Sequence, residues 1–183
     1  MAVRIKSHWH GERERSLHEI AGALAFNGWK IALDKAVELH SEHFHYSDDR
    51  QRMVVIQEYL IFQVQLVDRL AHERLGDEER GELVIALARR LAELVQDNGE
   101  DLFGPGDHGR TFLQRFNQRA MEYAEFGFSD SGPSYPFYRH LGSEIQNLMG
   151  GEGENRWVID QVMDVDGPEV FKLVRRTLSN LLE

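Results

Sequence analysis

The chain contains no cysteine. Disulfides, thiolate zinc sites, iron–sulfur clusters and cysteine nucleophiles are therefore excluded, and a reducing, cytoplasmic setting is the expectation. Proline is also scarce: of four residues, three lie beyond position 130. The first hundred positions are thus free of the strongest helix breaker. Apolar runs are short. None reaches the about 18 residues that a transmembrane helix needs, and the N-terminal MAVRIKSHWHGERERS lacks the apolar core of a secretion signal. Basic residues never concentrate: 21 are set against 31 acidic ones, for a net charge of -10, and no cluster exceeds the pairs Arg89–Arg90 and Arg175–Arg176. Wrapping a phosphate backbone requires concentrated positive charge, so nucleic acids and anionic membrane surfaces are not expected partners. Alternating strand patterns of useful length are missing too.

What the chain does have is helical periodicity. With 183 residues and a hydrophobic share of 42%, it can bury a substantial core as one domain. Residues 53–75 read MVVIQEYLIFQVQLVDRLAHERL. At ~100° per residue, Gln57, Glu58, Gln65, Asp68 and His72 fall within one narrow arc, and apolar side chains fill nearly all the rest. A helix apolar over so much of its circumference must be wrapped by others. The expectation is an all-α, single-domain bundle of six or seven helices around a central apolar helix at about residues 49–75. Residues 12–183 form the helical domain, and residues 1–11 a flexible N-terminal segment.

The remaining helices follow from spacing and punctuation. A first helix at about 12–40 carries rows of small and apolar residues, with Gly22 and Gly28 permitting close packing. A third begins at Asp77 as N-cap, follows Gly76 as the C′ residue of the second, and stops at Asn98–Gly99. An aromatic helix spans about 110–125 and a fifth, capped by Ser134, about 135–149. A short helix at 156–163 is broken by Asp166–Gly167–Pro168, after which a last one restarts. The aromatic connection FGFSDSGPSYPFY suits either a binding surface or a lid on the bundle core.

Several short motifs carry a possible chemistry. Gly104–Pro–Gly106–Asp–His–Gly109 matches a dinucleotide-binding glycine string, but no strand feeds it; a turn in which Asp107 caps the next helix is expected instead. Asp164–Val–Asp166–Gly167 opens like a calcium loop, yet Arg175 stands where the closing glutamate belongs. Histidines cluster at His8/His10 and at His40, His43 and His45, and imidazoles at close spacing suit transition metals. Glu42-x-x-His45 is half of a di-iron motif without its second copy. An exposed helix end is the expected reading, with His40, His43 and His45 as the metal candidates.

Glu58, Gln65, Asp68 and His72 are the ligand-binding candidates. Asp68 and His72, one turn apart, are spaced to form a carboxylate–imidazole pair. With Asp68 and His72 partly buried, Gln57 is expected to be exposed. No nucleophile lies on the stripe, no cofactor is implied, and enzymatic activity stays open. The functional expectation is a non-enzymatic protein-interaction or accessory domain, self-associating as a homodimer or binding a protein partner. The alternative is a small-molecule- or metal-binding bundle using the Asp68/His72 stripe or the histidine clusters.

Overall fold

The computed structural model describes residues 15–183. The chain is an all-α bundle: α1 (Leu17–Ser41), α2 (Asp49–Ala71), α3 (Asp77–Phe103), α4 (His108–Tyr123), α5 (Tyr135–Met149), α6 (Val158–Gln161) and α7 (Gly167–Leu182). A two-stranded antiparallel hairpin, β1 (Phe128–Ser129) with β2 (Gly132–Pro133), joins α4 to α5. Gly132 has φ of +115°, and an added Cβ would meet the Phe171 ring at 2.6 Å, so the turn accepts only glycine there. Among the described residues no helix is long and apolar enough to cross a membrane. The expected segment 1–11, with His8 and His10, lies outside the described residues.

The central helix forms as its pattern requires. Every residue from 55 to 67 is buried, and α2 packs against α1, α3, α4, α5 and α7. Tyr59, Leu60, Ile61, Phe62, Val64 and Leu66 are fully enclosed; at ~1.5–3 kcal/mol per large apolar side chain, this one helix supplies much of the driving force for folding. Asp48 caps it by accepting the Gln51 N–H at 2.8 Å.

Helix ends differ from the expected ones where a side chain outcompetes local punctuation. The second helix stops at Ala71 rather than running to 75, and residues 72–75 form a turn. Gly76 is the N-cap of α3 rather than the C′ residue of α2, and the Glu79 carboxylate accepts its N–H at 3.4 Å. The third helix continues through Asn98–Gly99 to Phe103, because the Asn98 amide bonds back to the Leu94 carbonyl at 2.8 Å instead of turning the chain. Asp107 stands at the N-cap of α4, but its side chain makes no capping bond. Gln96 of α3 takes the Gly109 N–H at 2.8 Å instead. A Cβ on Gly109 would meet the Ala92 carbonyl at 2.7 Å, so this glycine serves helix contact, and no strand enters the loop. Gly22 has open space around it and brings no helix close.

Asp166–Gly167–Pro168 does not break the chain either. α6 passes through a π-helical turn, Val162–Asp166, directly into α7. Asp166 caps nothing there; its carboxylate is turned into the core. The aromatic connection is a lid: Phe137 is fully buried and packs with Phe62, Tyr123 and Phe128.

Candidate functional site

The polar stripe of α2 divides into two environments. Its upper part is covered by α4. Arg115, Arg119 and Glu122 recur at i, i+4 and i+7, beside the face that buries Phe112, Phe116 and Tyr123. The Arg119 Nε donates to both oxygens of Glu58, at 3.1 and 3.3 Å, and Nη2 adds a bond to Oε1 at 3.1 Å. Nη1 reaches Glu122 at 2.9 Å, and Nη2 also contacts Glu144 of α5. Arg115 bonds Gln57 and lies 3.8 Å from Glu58. Burial pushes the Glu58 carboxyl up, with Arg119 and Arg115 opposing it. For Arg119 the balance runs the other way: burial alone would lower it, but bonds to Glu58 and the surrounding carboxylates hold it charged. Gln57 is therefore buried, against the expectation that it is exposed, because Arg115 reaches over it.

On another side of α2, adjacent Tyr59 donates to Asp166 at 2.6 Å. Asp166 also accepts from Gln161 at 3.3 Å and faces the Lys35 Nζ at 3.9 Å. Lys35, only 4% exposed, is held by Glu38 and Glu169. Burial pushes the Asp166 carboxyl up. Burial also acts to lower Lys35, yet its bonds to Glu169 and Glu38 raise it. Every charged or polar group named in this cluster has a partner, which marks it as a structural lock between α1, α2 and α7. A lysine on the otherwise apolar buried row of α1, Ala25–Ala32–Lys35–Ala36, was the available signal.

The lower part of the stripe opens into a cleft of about 650 Å³ between the C-terminal end of α2, α3, α4, the hairpin and α7. Gln65, Asp68 and His72 all line it; Glu58 does not. Asp68 does not pair with His72, which is exposed. Its partner is Arg80 of α3, at 3.0 Å, because that guanidinium reaches the carboxylate across the short α2–α3 joint. Arg80 also bonds Asp77 at 3.3 Å, while its buried Nε has no hydrogen-bond partner. Three more arginines enter the lining. Arg69 donates to the Tyr123 and Phe126 carbonyls at 3.1 and 3.3 Å, closing the end of α4. Arg74 donates to the Ser179 hydroxyl at 3.2 Å. The Arg175 guanidinium sits 6.0 Å from the centre of the Phe171 ring. The apolar part of the wall comes from Val84, Phe116, Phe128 and Leu178. Four guanidiniums face three carboxylates here (Asp68, Glu73 and Asp130) on a chain whose total charge is -10.

His40, His43 and His45 are all exposed. His40 and His45 lie with ring centres 6.1 Å apart, and His43 has a positive φ of 73° in the turn after α1. The described residues whose His and carboxylate atoms do gather are Glu122, His140 and Glu144, within 4.8 Å of one another. The sequence reading missed this group. The available signal was H-x-x-x-E on the fifth helix facing R-x-x-x-R-x-x-E on the fourth. No family model, curated protein or solved structure matches the chain.

Proposed function

We propose that this chain is a binding domain whose cleft at the foot of α2 takes a small anionic molecule with an apolar body. The observation that carries the reading is the cleft itself: about 650 Å³ falls in the ~300–1,000 Å³ range of small-molecule sites. It combines an aromatic and aliphatic wall with four arginines in its lining. Planar, permanently charged arginine heads suit carboxylates and phosphates through paired N–H donors. Arg80, a quarter exposed and lining the cleft beside Asp68, presents its guanidinium to such a ligand. Asp68 orients Arg80, and Gln65 supplies a neutral donor or acceptor at the cleft wall.

The test is a thermal-shift screen of aryl carboxylates, aryl phosphates and neutral aryl analogues. The reading expects stabilisation by the charged compounds that fades with rising salt, and none by the neutral ones. Stabilisation by neutral analogues alone contradicts it.

A second reading, a protein-interaction domain that self-associates, is favoured by a different observation. Phe26, Leu33 and Val37 are exposed at spacings of seven and four residues on α1, forming one apolar stripe on its outer face. Light scattering tests it: the Phe26→Ser and parent proteins differ in mass only if that stripe holds copies together.

A further inference from the structure

The group beside Glu58 has features that ion pairing leaves unfilled. His140 and Glu144 lie one turn apart on α5 and face Glu122 of α4, all within 4.8 Å. The His140 Nε2 is 2.9 Å from a Glu122 oxygen, yet the angles make no hydrogen bond, and this buried nitrogen has no hydrogen-bond partner. An imidazole nitrogen and a carboxylate oxygen at that separation are within about half an ångström of the spacing of neighbouring ligands of one tetrahedral zinc: bonds of about 2.0–2.1 Å at the tetrahedral angle place such atoms about 3.3 Å apart.

Tyr123 is a second, separate observation. It is 1% exposed, its hydroxyl has no hydrogen-bond partner, and it lies within the fields of Glu58, Arg119, Glu144 and Glu122. Its ring packs edge-on against His140, with centres 4.8 Å apart. Charge points the same way. Three carboxylates, Glu58, Glu122 and Glu144, face two guanidiniums, Arg115 and Arg119, so with the His140 imidazole neutral, as a metal ligand must be, the group is one positive charge short.

We propose that Glu122, His140 and Glu144 bind one divalent first-row transition ion, of which zinc is the test case. One imidazole and two carboxylates form a borderline donor set of the kind zinc accepts. Water completes the coordination and meets the free Tyr123 hydroxyl. Arg119, already bonded to Glu122 and Glu144, orients both carboxylates from outside the coordination sphere. None of these three residues lines the arginine cleft, so the two sites stand or fall separately.

The experiment is calorimetric titration of zinc chloride, and separately manganese chloride, into protein stripped by chelator. Parent protein should bind one zinc ion per chain at micromolar concentration or tighter, with a raised melting temperature. His140→Ala and Glu144→Gln should each weaken binding at least tenfold, while the triple variant His40→Ala, His43→Ala, His45→Ala and the pair His8→Ala, His10→Ala bind as the parent does. X-ray absorption of the zinc-loaded parent protects the test against misfolded variants: one imidazole with oxygen ligands is expected. The proposal is overturned by no zinc binding, by two or more imidazoles on the metal, or by binding that survives His140→Ala and disappears with the surface histidines.

Discussion

Glu58 and Asp68 lie on the same polar stripe of α2, and each is paired with an arginine from a neighbouring helix. They are nevertheless in different physical situations. The Glu58 side chain is 1% exposed and its partner Arg119 11%, whereas Asp68 is 31% and Arg80 26% exposed. The carboxylates are of one kind; the difference lies in what covers them. α4 runs over the upper stripe with two arginines on its inner edge, and the chain leaves α4 at Tyr123 for the hairpin, so the lower stripe borders an open cleft. A polar stripe on a buried helix thus specifies where charge goes. The neighbouring helices decide whether that charge becomes a lock or lines an open cleft.

Substitutions on the two halves should separate them sharply. The largest effect belongs to Glu58→Ala. It strands Arg119 and Arg115 in a largely buried place, and should lower unfolding stability in urea by about 3–5 kcal/mol. A loss under ~1 kcal/mol would show that Glu58 is not enclosed as described. Gln57→Leu removes one bond to the Arg115 guanidinium, and chemical denaturation should register a loss of about 1.5–3 kcal/mol. Asp68→Leu breaks a pair that water reaches on both sides, so it should cost no more than ~1 kcal/mol. If Asp68→Leu proves as damaging as Glu58→Ala, the contrast between the two ends of the helix collapses. His72→Ala, at an exposed turn, should stay within ~0.5 kcal/mol.

The Tyr59–Asp166–Lys35 lock makes a different prediction, on pH. Asp166 has a folded pKa raised above its unfolded value by burial. The native state therefore keeps this proton after the unfolded state has lost it, and stability contributed by the protonated form is lost as pH rises through the folded pKa. Asp166→Asn does not titrate, so its stability relative to the parent should improve as pH rises from the ordinary carboxylate range through the raised folded pKa. Urea midpoints measured across that range check the sign, and a relative decline would contradict it.

The fold was legible because the strongest signals are long and periodic. The all-round apolar pattern of 53–67 demanded neighbours, and the last helix carried an unambiguous apolar stripe. Helix ends were less readable, since Gly76, Asn98 and Asp107 each behave according to a side-chain bond that local punctuation does not announce: from Gly76 to Glu79, from the Asn98 amide back to the Leu94 carbonyl, and from Gly109, beside Asp107, to Gln96. Gln65, Asp68 and His72 were identifiable as one polar edge, but their shared cleft depends on arginines from α3 and α7, which periodicity along α2 does not reveal. Lys35 and Asp166 were hidden for the same reason. One lies in a helix of small residues and the other in a stretch that reads as a helix break, and they meet across 131 positions (166 less 35).

The central claim is that the foot of α2 is an anion-binding cleft. Its most direct test is calorimetric titration of phenyl phosphate into parent, Arg80→Met and Arg175→Met proteins in chelator-containing buffer at low salt. The account predicts one site per chain with a Kd of about 100 µM or tighter, near -5.5 kcal/mol. It also predicts at least tenfold weakening in Arg80→Met, a smaller loss in Arg175→Met, and no measurable heat with phenol. Equal affinity in parent and Arg80→Met, or no binding by the parent at millimolar phenyl phosphate, would contradict it.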